Sequence, residues 1–175
     1  MGNAHGREQI TVPTLKGSNL TKGYEDGSNP HQSTDSHCLS TKNRQRLIYP
    51  EIEANLFAYM GGILNNHNSR LLTAGGTADH VHLLASQSKN IAVSDLLMHV
   101  KKDSSSWLKT QDRSLRHFHW QDGYAAFSVG SSEIVRVKRY IANQKEHHRK
   151  ITFQEELIQF LNEYGIEYDE RYLWN

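Results

Sequence analysis

Residues 70–86 read RLLTAGGTADHVHLLAS: two strand-like apolar runs with only a few residues between them. So short a join predicts an antiparallel hairpin and fixes the middle of the fold. The Gly75-Gly76 pair marks the frayed end of the first run or a bulge.

The flanking segments extend this hairpin into a longer order. SHCLST at 36–41 is a short strand, and KNRQR is a turn or extension. Pro50 opens a helix at its first turn, where the missing N–H costs nothing. Apolar residues at 52, 56, 59, 60, 63 and 64 form its stripe. After the hairpin, SDLLMHVKKDSSSWLK predicts a helix capped by Ser94, with Leu97, Val100, Trp107 and Leu108 on its buried side. Residues 111–122 form a loop, and YAAFSVG is a strand. SSEIVRVKRYIANQKEHHRK predicts a second long helix, capped by Ser131 or Ser132. FQEELIQFLNEYG predicts a third, stopped by Gly165. The order β-α-β-β-α-β-α-α begins with the split βαβ pattern of a ferredoxin-like, RRM-like sandwich. The expected class is α+β: a four-stranded antiparallel sheet with helices on one face and an additional C-terminal helix. The other face then needs a cover, a ligand or a second subunit.

Residues 1–34 are of another character. Five glycines, Pro13, Pro30 and many Ser, Thr and Asn interrupt apolar residues that follow no period. They predict a mobile or loosely attached arm, with one domain over 35–175. The single cysteine, Cys38, excludes a disulfide framework and a thiolate metal site, and reads as a small buried hydrophobe. No run approaches the roughly 18 apolar residues of a membrane span. The start, MGNAHGREQI, lacks the apolar core of a signal peptide. A soluble, intracellular protein without a membrane partner is the expectation.

Within DHVHLL, strand alternation sends His80 and His82 to one face, and Val81 and Leu83 to the core. Two imidazoles at that spacing can converge on one divalent ion, although any His-x-His strand passes this test. Asp79 is either the group that orients an imidazole or a turn residue. On the long helix, Tyr140 and Gln144 lie four apart on one face. Gln144 offers an amide oxygen suited to a hard metal, and Tyr140 a phenol that becomes a nucleophile once deprotonated. By spacing alone, a Tyr and a Gln on an amphipathic helix are most often interface or surface residues.

Several blocks resemble the IS200/IS605-like transposases, the single-tyrosine members of the HUH nucleases, including REP-associated tyrosine transposases. They are STKNR at 40–44, DHVHLL at 79–84, HVKKDSSSWL at 99–108, FHWQDGYAAFSVG at 118–130, YIANQKEHHRKITFQEE at 140–156 and GIEYDERYLW at 165–174. They come in the family's order across residues 36–175. The resemblance implies that His80, His82 and Gln144 hold Mg²⁺ or Mn²⁺ and that Tyr140 is the nucleophile. It implies cleavage and rejoining of single-stranded DNA through a 5′-phosphotyrosine link, with hairpin-containing ends as partners and a homodimer as the assembly. Zn²⁺ also suits the donors. The implied place of action is the cytoplasm of a prokaryote, at the nucleoid. Alternatives within reach of the same residues are a relaxase- or initiator-like nickase and a decayed, non-catalytic hairpin-binding relative. Tyr140 has no second tyrosine one turn away, which favours the transposase.

Net charge is only +1, so any nucleic-acid surface must be local. Lys101, Lys102 and Lys109 on one helix, and Arg136, Arg139 and Lys145 on the next, can neutralise phosphates. Ser104–Ser106 read as phosphate contacts or solvated helix surface. Trp120 reads as a core residue in preference to a base-stacking one. The histidines at 117, 119, 147 and 148 look like groove or surface residues.

Overall fold

The computed structural model describes residues 32–149 and 152–163. The expected arm lies almost wholly outside the described residues, as do Tyr164 and the GIEYDERYLW block.

The strands are β1 (Ser33–Ser40), β2 (Arg70–Gly76), β3 (His80–Gln87) and β4 (Ala125–Ser128), and the helices are α1 (Pro50–Asn66), α2 (Val93–Gln111), α3 (Ile134–Ala142), α4 (Gln144–His147) and α5 (Phe153–Glu163). The sheet order is β2-β3-β1-β4 with every pairing antiparallel, which is the ferredoxin-like arrangement predicted. β2 and β3 form the expected hairpin. Gly76 is the last residue of β2, so the glycine pair marks the strand's end, one of its two expected roles; the bulge falls instead between Leu71 and Thr73, and both glycines stay in register opposite His82 and Val81.

One face of the sheet carries the core. Leu39, Val81, Leu83 and Ala85 from the strands meet Leu56, Met60, Ile63 and Leu64 of α1 and Leu96, Val100 and Leu108 of α2. Each of the larger side chains among them contributes about 1.5–3 kcal/mol by leaving water, and the Ala85 methyl less. Trp107 is only half-buried, stacked on Tyr59 with ring centroids 5.0 Å apart. Trp120 belongs to this core, its indole Nε1 donating to Ser104 Oγ at 3.0 Å. Ser104 is fully buried and donates in turn to the Val100 carbonyl. Neither a phosphate contact nor a solvated surface describes it.

The boundaries of β1, α2 and the long C-terminal helix differ most tellingly from expectation. β1 starts at Ser33 because buried Asp35 is satisfied there, accepting from Ser33 Oγ at 2.6 Å and from Ser128 Oγ of β4 at 2.7 Å. α2 starts one residue before Ser94, its N-cap being Ala92 without a side-chain bond. The long helix predicted over 131–150 is divided. A 3₁₀ turn covers Ser131–Glu133 and α3 follows, with Glu133 rather than a serine at its cap position. Asn143 then interrupts the helix at φ −98°, ψ 13° before α4. Asn is a weak helix former whose side chain competes for the backbone.

The sheet face opposite α1 and α2 is covered over β2 and β3 by α3. The approach is close at Gly75, where a Cβ would overlap the carbonyl oxygen of Ile141. Ile141 is itself fully buried. α5 opens on a capping box: Thr152 N–H donates to Glu155 Oε2 at 2.8 Å, and Glu155 N–H to Thr152 Oγ1 at 3.3 Å. No helix among the described residues is long and apolar enough to cross a membrane.

Candidate metal centre and nucleophile

The site is built on the covered face of β3. His80 and His82 are buried and project together, with ring centroids 5.2 Å apart. Their ladder partners on the neighbouring strands are small: Ser40 and Cys38 on β1, and Gly75 on β2 opposite His82. Cys38 Sγ lies 3.9 Å from His82 Nε2, so the lone cysteine is buried as expected but stands beside the site.

Asp79 orients His80. Its Oδ1 is 2.8 Å from His80 Nδ1 and accepts from Thr77 Oγ1 at 2.7 Å. Its Oδ2 accepts from Arg44 Nη2 at 2.8 Å and Nε at 3.2 Å. Asn43 and Arg44 both take left-handed backbone conformations, φ 53° and 57°, in the turn that brings the guanidinium there. Burial alone would raise the Asp79 carboxyl. The hydrogen bonds from His80, Arg44 and Thr77, with the Arg44 charge, outweigh it and hold the group well below the usual carboxylate range. Burial pushes the His80 imidazole down, the Asp79 hydrogen bond opposes this, and the His148 charge adds to the fall. A neutral imidazole held through Nδ1 by a carboxylate is the arrangement metal-binding histidines commonly have.

Tyr140 reaches this face from α3. Its ring lies 5.8 Å from that of His82 and 5.4 Å from that of His147, edge-on in both cases. Gln144, one turn further on, is 1% exposed. Beyond it comes a residue that spacing arguments passed over. His148 packs edge-on against His80 at 4.6 Å, and ligand atoms of His80, His82 and His148 all lie within 4.8 Å of one another. Tyr140, Gln144 and His148 form a continuous i, i+4, i+8 series, and the His148 N–H donates to the Gln144 carbonyl at 2.9 Å despite the break at Asn143. Extending the spacing that linked Tyr140 to Gln144 by one more turn finds His148.

The donor set fits a divalent ion. The imidazoles converge, one is oriented from behind by a carboxylate, and the phenol stands alongside.

The basic residues expected at DNA divide. Lys102 and Arg139 are exposed. Lys101 donates to the carbonyls of Gln121 and Gly123 at 2.6 and 2.8 Å, and burial lowers its pKa. Arg136 pairs with Glu133 at 2.6 Å, and Lys145 with Glu53 at 2.5 Å. Lys109 is half-buried near the end of α2.

The family model described as "Transposase IS200 like" matches residues 33–144, more than half of the chain. Among solved structures, a REP-associated tyrosine transposase bound to a REP hairpin is similar, with TM-score 0.54 and 13% identity, over 87% of this chain and 92% of that one. A candidate transposase from Deinococcus radiodurans R1 is similar with TM-score 0.52 and 18% identity, over 71% of this chain and 98% of that one. At such identities these two carry the fold alone. Comparison with curated proteins finds no match.

Proposed function

The chain belongs to the family of IS200-like transposases, and from that premise we propose that it cuts and rejoins single-stranded DNA through Tyr140. The observation that carries this reading is the Tyr140 ring 5.8 Å from that of His82, beside the converged histidines. A random surface tyrosine has no reason to lie there.

Tyr140 loses its proton, and its oxygen attacks the scissile phosphorus in line. A phosphorus–tyrosyl oxygen bond forms and the bond from phosphorus to the 3′ oxygen breaks. That oxygen takes up a proton and departs as a 3′-hydroxyl. The link left behind is a 5′-phosphotyrosine, and a 3′-hydroxyl from another strand reverses the exchange to join DNA. No bond energy is lost to water, so neither ATP nor a hydrolytic base is required. His80, His82 and Gln144 are the proposed holders of Mg²⁺ or Mn²⁺, which when bound offsets charge on the phosphate and orients it. Asp79 keeps the His80 ring in place during the exchange.

Hairpin DNA with single-stranded flanks is the proposed substrate. Support comes from the similar transposase seen with a REP hairpin, and from exposed Lys102 and Arg139 as phosphate contacts. The proposed assembly is a homodimer working in the cytoplasm at the nucleoid, of the REP-associated type.

The test is a panel of labelled hairpin oligonucleotides with single-stranded flanks, incubated with the protein and Mn²⁺ or with EDTA, then run on a denaturing gel. The expected result is a protein–DNA band that appears only with metal. Absence of any such band across the panel, or equal bands in EDTA, would contradict the reading.

A further inference from the structure

We infer that His148 is a metal ligand, and that it closes a three-imidazole centre with His80 and His82. This rests on the metal-assisted reading above and goes beyond the ligand set assigned there.

Three observations carry it. Ligand atoms of the three side chains lie mutually within 4.8 Å. Metal–imidazole bonds near 2.1 Å put such nitrogens about 3.4 Å apart in a tetrahedral site, so modest ring rotations close the gap. The His148 ring already stands edge-on to His80 at 4.6 Å. And His80 is anchored through Nδ1 by Asp79, so that ring need not move.

The chemical consequence is a choice of metal. Two imidazoles and an amide oxygen suit Mg²⁺ or Mn²⁺, whereas three imidazoles favour borderline transition ions such as Co²⁺ or Zn²⁺. There is a mechanical consequence too. His148 follows α4, and Tyr140 lies on α3 directly before it. A bond from His148 to the ion therefore staples the nucleophile-bearing segment to β3, across the same face that α3 covers.

The experiment is titration of the full-length protein with Co²⁺, followed by calorimetry and visible absorption. The variants are His148→Ala, the size-conserving His148→Asn, His147→Ala and His80→Ala, each checked for native circular dichroism. The expected result is saturable Co²⁺ binding by the wild type, with affinity reduced roughly tenfold or more and the ligand-field bands altered in both His148 variants. His147→Ala should match the wild type. If His80→Ala abolishes binding while the His148 variants keep wild-type affinity and spectrum, this inference falls and the metal-assisted reading stands. Equal damage from His147→Ala also overturns the inference. Failure of the wild type to bind Co²⁺ overturns both.

Discussion

Asp79 Oδ1 stands 2.8 Å from His80 Nδ1, and the same carboxylate is clamped on its other oxygen by Arg44. The carboxylate is held ionised, so it fixes the tautomer and direction of the His80 imidazole ring through the whole physiological pH range. An Asp79→Ala change should lower Mn²⁺ affinity by roughly 10–100-fold while leaving the sheet intact. Calorimetric titration reads this directly. Wild-type affinity in the variant would mean that Asp79 serves only the turn.

Gly75 lies opposite His82 in the ladder and beneath the Ile141 carbonyl. Gly75→Ala should therefore push α3 away from β2. Overpacking of this kind costs about 1–3 kcal/mol. Strand cleavage should fall by more than that destabilisation explains, since Tyr140 rides on the displaced helix. Comparing the urea midpoint with the cleavage rate separates the two effects, and a variant with full cleavage would remove the role given to this contact.

His37 sits on the core side of β1, opposite Leu83, fully buried, and neither ring nitrogen has a hydrogen-bond partner among the described residues. Burial lowers its pKa to about 4, with the Asp35 charge opposing only in part. The unfolded chain, with a pKa near 6.5, then binds more protons between these two values. Stability from His37 is thus complete above about pH 6.5, declines as pH falls toward 4, and levels off below, by roughly 3 kcal/mol in all. His37→Leu should flatten that part of the curve. Urea denaturation of both proteins from pH 4 to 7 checks it, and parallel curves would exclude His37 as the source.

Ser104 accepts from the Trp120 indole inside the core. Ser104→Ala strands a buried donor and should cost about 1–3 kcal/mol, without touching DNA affinity. A phosphate-binding serine would give the reverse, so paired melting and binding measurements decide between them.

Period and punctuation made the central elements readable. The hairpin, α1 from its proline, and the shared face of His80 and His82 depend on neighbours in sequence. What escaped reading depends on distant partners. Asp35 looks like a strand breaker until Ser128 arrives from β4 to satisfy it. The serines at 94, 131 and 132 look like caps, but Ala92 and Glu133 hold the cap positions of α2 and α3, neither with a side-chain bond. His148 follows another histidine in a basic run and reads as surface; helical spacing aligns it with Tyr140 and Gln144, but its neighbour His80 comes from a distant strand. The role of Gly75 as a seat for Ile141 likewise needs α3 in position.

Among the described residues, Tyr140 is the tyrosine whose ring stands beside His82, and the covalent link should map to it. Tyr124 is half-buried against the core just before β4, and burial with the nearby Asp95 charge raises its pKa, which disfavours a phenolate. Tyr49 and Tyr59 belong to the α1 side of the sheet, Tyr59 stacked on Trp107. A Tyr140→Phe change removes one oxygen and keeps the ring that packs between His82 and His147. Metal binding and hairpin affinity should persist, because neither the imidazoles nor the basic side chains change. The adduct should vanish, since no other phenol among the described residues is recorded beside the histidines. Labelled hairpin oligonucleotide with Mn²⁺, a denaturing gel, and mass mapping of the modified peptide give the answer. A surviving protein–DNA band in the Tyr140→Phe protein, or a modified peptide without residue 140, would remove Tyr140 from the reaction.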